Sequence, residues 1–132
     1  KLEVRKTIIL QPETKDTNTK LIRRGDLSME VLHINENEFQ KEVMESSKPV
    51  LLDFYASWCG PCKMLAQVLE ELAQEQDAFK IVKVDIDQNR ALTKQWDIST
   101  VPSVFMIKDG EVKDSAVGFL PKAVLRQRME AL

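Results

Sequence analysis

Two cysteines are the residues in this chain best placed to do chemistry, Cys59 and Cys62, separated only by Gly60 and Pro61. The nucleophile in sulfur chemistry is the thiolate, so what matters is whether the chain around a thiol favours the anion. Val50, Leu51, Leu52, Phe54 and Tyr55 precede the pair as an apolar run of strand length. From Cys62 the apolar residues recur at Leu65, Ala66, Leu69, Leu72 and Ala73, a helical stripe, and Pro61 stands near its first turn, where a missing N–H costs little. Cys59 is therefore expected at a helix N-terminus, where unpaired N–H groups and the macrodipole lower a thiol's pKa. Cys62, one turn on and pointing down the apolar stripe, is the more buried thiol and can attack a mixed disulfide formed at Cys59. Together the two steps make a dithiol-disulfide exchange device. A zinc site is disfavoured, because only His33 is left to join the two thiols and zinc needs about four ligands.

Beneath the pair, Asp53 interrupts the apolar strand, and alternation gives it Leu51 and Tyr55 as same-face neighbours. Burial raises a carboxyl pKa unless the group is paired. Lys83 interrupts the apolar run Ile81, Val82, Val84, Ile86 in the same way and is the expected partner across the sheet. Two readings stand side by side: a structural buried pair, or a carboxylate that takes the proton of Cys62 as that thiol attacks.

These features together resemble the thioredoxin family: the WCGPCK run from Trp58 to Lys63, Asp53, Lys83 in IVKVDID, the Val101-Pro102 pair and Gly118 in AVGF, over about Met29 to Leu132. The resemblance implies a thioredoxin fold, an α/β architecture with a central mixed sheet flanked by helices on both faces. It implies Cys59 as attacker, Cys62 as resolver, and catalytic support from Asp53 and Lys83. By the same resemblance Pro102 is cis beside the cysteines, and Val101 offers its backbone to an extended substrate segment. Trp58, Gly60, Pro61, Thr100, Val101, Val117 and Gly118 then form a substrate-docking surface with Pro102. Gly60-Pro61, with no His between the cysteines, resembles the reducing members. The implied activity is protein-disulfide reduction by a monomer with no bound cofactor. Its partners would be disulfide-containing proteins and a reductase drawing on NADPH.

The chain also departs from the family pattern. Gln67 stands where many members have a proline that kinks the long helix, Thr100 replaces a commonly small residue, and Phe119 follows Gly118 where Ala is frequent. Alternation along Val117, Gly118 and Phe119 permits an outward Phe119 on the docking rim or an inward one under the last helix with Leu125. His33, Trp96 and the methionines read as core or surface fill.

The elements that must position the cysteines alternate along the chain. A strand is expected at Val31–Ile34, and Asn35 with Glu38 gives a capping-box-like start to a helix carrying Phe39, Val43 and Met44. The motif strand follows Pro49, and the long helix runs from Pro61 to about Gln76. The strand Ile81–Ile86 leads to a short helix capped by Asp87 and carrying Leu92 and Trp96. Asp109-Gly110 marks a hairpin between Ser103–Ile107 and Val112–Val117. A last helix begins near Pro121 and uses Val124, Leu125, Met129 and Leu132. The order implies a mixed sheet with helices on both faces.

Composition bounds the rest. The 132 residues, 43% hydrophobic and 30% charged, suit one globular domain with a core of its own. The net charge of −2, with basic and acidic residues interspersed, argues against nucleic acid as a partner, and no apolar run is long enough to span a membrane. With both cysteines in the motif there is no structural disulfide framework. That suits a reducing, cytoplasmic compartment, although a periplasmic or exported thiol reductase would look the same. Residues 1–28 carry seven Lys and Arg against four Asp and Glu, while the remainder carries twelve against seventeen. The shift places a boundary near Met29, with an N-terminal extension or linker before the domain at 29–132. Val4 and Thr7–Leu10 could add a short edge strand to it. Two readings from other classes remain: a non-catalytic interaction module on the same fold, and a domain of a larger fusion enzyme joined through Lys1–Ser28.

Overall fold

The computed structural model describes residues 30–132; the N-terminal extension and its suggested edge strand lie outside them. Five strands form one sheet in the order β1-β3-β2-β4-β5: β1 (Leu32–His33), β2 (Val50–Tyr55), β3 (Lys80–Asp85), β4 (Ser103–Lys108) and β5 (Glu111–Val117). β1, β3 and β2 run parallel, while β4 and β5 are antiparallel to their neighbours. The mixed α/β fold is the one the resemblance implied.

β2 occupies the centre, and its first five residues are buried because both faces of the sheet are covered. Leu51 packs with Val104 and Met106 of the sheet against Leu65, Leu69 and Leu72 of α1 (Gly60–Glu75) and Leu125 and Met129 of α3 (Lys122–Glu130). Leu52 and Phe54, on the opposite face, meet Phe39, Val43, Leu92 and Trp96. The period-2 alternation of one strand thus feeds two separate cores. α1 continues without interruption through Gln67, the position where a proline kink is frequent in the family.

Local chemistry accounts for the differences from expectation. The Asn35 turn forms as the sequence suggests, with Asn35 N–H donating to Glu38 Oε1 at 3.0 Å, but the helix it opens, Gln40–Met44, is π-helical, with Glu45 N–H reaching back to the Gln40 carbonyl. The short helix α2 (Arg90–Gln95) is preceded by Asn89 in place of Asp87. Asn89 makes no side-chain cap; its buried amide instead accepts from Glu36 N–H at 2.8 Å and donates to the Asp85 carbonyl at 2.9 Å, stitching two loops together. At the hairpin, Asp109 and Gly110 have φ of 54° and 77°. Two successive positive φ values define the primed turn for which Asp-Gly is suited.

Candidate active site

The chain leaves β2 at Tyr55, turns through Ala56, Ser57 and Trp58, and enters α1 with Cys59 as its N-cap residue. Gly60 and Pro61 fill the first helical positions, so the N–H that proline lacks is one the helix would have left unpaired. Cys59 Sγ accepts the Cys62 N–H at 3.2 Å, a side-chain cap made by sulfur. The two sulfurs are at bonding distance and form a disulfide, with Cα atoms 5.2 Å apart, inside the range such bonds require. The expected contrast in exposure is small in this oxidised form: Cys59 is 6% exposed and Cys62 2%. Ala56, Cys59 and Cys62 form a small cluster of their own, against which Tyr55, Ile86 and Val101 pack.

Val101-Pro102 is a cis peptide, and the Val101 carbonyl oxygen lies 3.7 Å from Cys59 Sγ. Pro102 is buried and Thr100 exposed, so the loop presents its Thr100–Val101 side. Gly118 N–H donates to the Pro102 carbonyl at 2.8 Å, which fastens the end of β5 to this loop. Gly118 adopts φ +94°, a conformation side chains rarely take, with open space where a Cβ would sit. Val117 and Phe119 on either side of it are exposed, at 64% and 38%. Phe119 is a member of none of the three buried core clusters. Trp58 is 67% exposed, yet its indole is not free to swing, because Nε1–H donates to Asp87 Oδ2 at 2.9 Å. Asp87, read from the sequence as a helix cap, is instead this anchor.

Asp53 is fully buried and aligned directly with Lys83 of β3 on one side and Val104 of β4 on the other. Lys83 Nζ lies 4.0 Å from Asp53 Oδ2, at the limit of an ion pair, and neither carboxylate oxygen accepts a hydrogen bond among the described residues. Burial raises the Asp53 pKa to about 7, with the Lys83 charge opposing the rise only in part. A buried carboxyl group that titrates near neutrality is equipped to take up and release a proton at neutral pH.

Against known proteins, the thioredoxin family model matches residues 30–131. This chain belongs to the thioredoxin family. It is 50% identical over 97 residues to the thioredoxin of Haemophilus influenzae, a match covering 73% of this chain and 91% of that protein. It is 44% identical over 100 residues to the thioredoxin of Bacillus subtilis, covering 75% and 94%. Among solved structures it is similar to a single-substitution variant of thioredoxin from Halobacterium salinarum, with a TM-score of 0.72 and 35% identity, covering 79% of this chain and 91% of that one. With its CxxC pair at the start of α1, the chain is a thiol-disulfide oxidoreductase. The chemistry of the family resides in the cysteine pair and needs no bound cofactor. Among the described residues no three His, Cys, Asp or Glu side chains cluster as metal ligands, and no helix is long and apolar enough to cross a membrane.

Proposed function

We propose that the chain reduces disulfide bonds in other proteins, with Cys59 as attacking thiolate and Cys62 as resolving thiol. The observation that carries this reading is the cap itself: the reduced Cys59 sulfur inherits the Cys62 N–H and the positive end of α1, which favour its anion. The Cys59 thiolate attacks one sulfur of the substrate disulfide, forming a mixed disulfide and releasing the other sulfur as a thiolate. Cys62 then attacks Cys59 Sγ, giving its proton to Asp53. The Cys59–Cys62 disulfide forms, the second substrate sulfur leaves as thiolate, and two electrons have passed to the substrate. Asp53 at about pKa 7 can receive that proton and give it up again near neutral pH.

Trp58, Gly60, Pro61, Thr100, Val101, Pro102, Val117 and Gly118 would form the docking surface, an extended substrate segment lying along the Val101 backbone. The oxidised pair would be returned to the dithiol by a thioredoxin-reductase-type donor using NADPH. On this reading the chain would work as a monomer in a reducing compartment such as the cytoplasm. Insulin reduction by the wild-type chain and by Cys59→Ser tests the activity: the variant should be inactive, and equal turnover would end the reading. Cys62→Ser should accumulate mixed disulfides at Cys59, which mass spectrometry of trapped adducts would identify. Failure of Cys62→Ser to form adducts at Cys59 would remove the assignment of attacker and resolver.

A further inference from the structure

One row of side chains crosses the sheet on its α1 face, set by the strand register: His33 of β1 beside Lys83 of β3, Lys83 beside Asp53 of β2. Tyr55, two residues beyond Asp53, is therefore on the same face and diagonal to Lys83. The Lys83 ammonium sits over the Tyr55 ring, 4.2 Å from its centroid. That ring and His33 meet in a T-shaped arrangement, with centroids 6.4 Å apart and planes at 89°. Tyr55 also packs on the Ala56–Cys59–Cys62 cluster. Tyr55 thus packs both on the cluster that holds the redox pair and against the cation beside Asp53.

The other neighbours of Lys83 would draw it elsewhere. Lys83 lines a polar cleft of about 440 Å³ at the carboxyl ends of the parallel strands, together with His33, Glu38, Tyr55 and Asp85. Asp85 of β3 and Glu38 of the turn after β1 are carboxylates open to water in that cleft, while Cys62 of α1 and its N-cap residue Cys59 lie in the small cluster on which Tyr55 packs. A lysine held by a 4.0 Å contact to Asp53 alone has every reason to turn toward solvent and those carboxylates. The aromatic face opposes that, because ring quadrupole and ammonium attract most strongly where water is excluded.

We propose that Tyr55 is a positioning residue for the exchange reaction: its ring face clamps the Lys83 ammonium beside Asp53, where the carboxylate receives the Cys62 proton. This rests on the role given to Asp53 above. The ring face is the working part; the hydroxyl, whose pKa is raised by burial and by the Asp85 and Asp53 charges, stays protonated and takes no step.

The test reads Asp53 directly, by carbon-13 titration of its carboxyl in the oxidised full chain, where the cysteines do not titrate and cannot couple to it. Tyr55→Leu releases Lys83 and should move the Asp53 titration upward by about half a unit or more, whereas Tyr55→Phe, which keeps the face, should leave it in place. If Tyr55→Leu does not fold, a ring-fluorinated phenylalanine at position 55 weakens the quadrupole at nearly constant shape and should give the same upward shift. An unmoved Asp53 titration in the Leu or fluorinated variant, or an equal shift in Tyr55→Phe, overturns the clamp. The rate of mixed-disulfide resolution against pH, followed in the same variants, separates the two layers of the argument. A limb that moves with Asp53 supports the proposal. A shifted Asp53 with an unmoved limb overturns the reaction role along with the proton-acceptor reading, while the contact between Tyr55 and Lys83 stands.

Discussion

Strand β3 carries two lysines that meet carboxylates in opposite ways. Near its start, Lys80 Nζ binds Glu42 Oε1 at 2.9 Å and the Glu42 carbonyl at 2.7 Å, both partners being partly exposed. Three residues on, Lys83 stands 4.0 Å from a carboxylate that is fully buried and accepts no hydrogen bond among the described residues. The first pair has the short, charge-assisted geometry of an interaction that fastens one element to another, here the Gln40–Met44 helix to the sheet. The second leaves a buried carboxyl under-satisfied, an arrangement that costs stability and keeps a proton mobile near neutral pH. The same residue types on one strand thus separate into a fastening pair and a buried, titratable one, and geometry rather than composition decides which is which.

The largest expected difference between the pairs is kinetic. Asp53→Asn should slow resolution of the Cys59 mixed disulfide at pH 7 on the order of 10²-fold, the scale of a lost general base. Glu42→Gln should leave that rate alone. Stopped-flow release of the substrate thiol measures both, and a comparable slowing in Glu42→Gln would erase the distinction.

Stability should move the other way. Below pH 3.8 Asp53 is protonated in folded and unfolded chains alike; between 3.8 and about 7 the unfolded chain releases a proton that the folded one retains. The unfolded state then binds fewer protons, so burial of Asp53 makes folding less favourable as pH rises through this window, and the loss is constant above it. Asp53→Asn removes the loss. The variant should match wild type near pH 3.5 and exceed it at pH 8 by about 4 kcal/mol, the size of the whole shift at roughly 1.4 kcal/mol per unit, because the attraction of Lys83 is already contained in that shift. Urea melts at the two pH values provide the check, and a stability gap independent of pH would show that the carboxyl titrates normally. Glu42→Gln, by contrast, should cost about 1 to 2 kcal/mol at pH 7, the worth of a charge-assisted hydrogen bond with partial burial, and its melting curve should show it.

How much of this the sequence carried depends on whether the relevant signal was local. Cys59 at the start of α1 was legible because a strand pattern, a proline and a helical stripe meet there within a few residues. Asp53 and Lys83 were legible because each is a lone charge in an apolar strand, and strands β2 and β3 align them directly. The Trp58–Asp87 hydrogen bond, spanning 29 residues between two loops, had no periodic signal to announce it. Asp87 was read as the cap of α2, but the helix starts after Asn89, whose amide is held by tertiary contacts to Glu36 and Asp85 that have no local signal. The Asn35 turn was readable, but apolar spacing over five residues does not distinguish a π-helical register from an α-helical one. Nor could spacing show that the Tyr55 ring supports Lys83, since that contact is diagonal across two strands.

The contrast between fastened and available groups extends to the aromatics and yields the smallest expected effect. Phe54, Trp96 and Phe105 meet edge-on or tilted, with centroids 5.0 to 5.8 Å apart, on the face of the sheet away from α1. Phe119 takes part in no such contact among the described residues and stands beside the open Gly118 and the exposed Val117, where it would extend the apolar rim of the proposed docking surface. Fully burying a phenylalanine is worth roughly 1.5 to 3 kcal/mol, so a docking protein that covers the exposed part of Phe119 would gain a fraction of that, enough to change affinity several-fold. Phe119→Ala should therefore raise the apparent KM for a protein disulfide such as insulin several-fold while leaving turnover of a small disulfide unchanged. Its melting temperature should barely move, because a fully packed phenylalanine would instead cost about 3 to 5 kcal/mol on truncation. A large loss of stability with an unaltered KM would place Phe119 with Phe54 and Phe105 as part of the fastened interior and take it out of substrate docking.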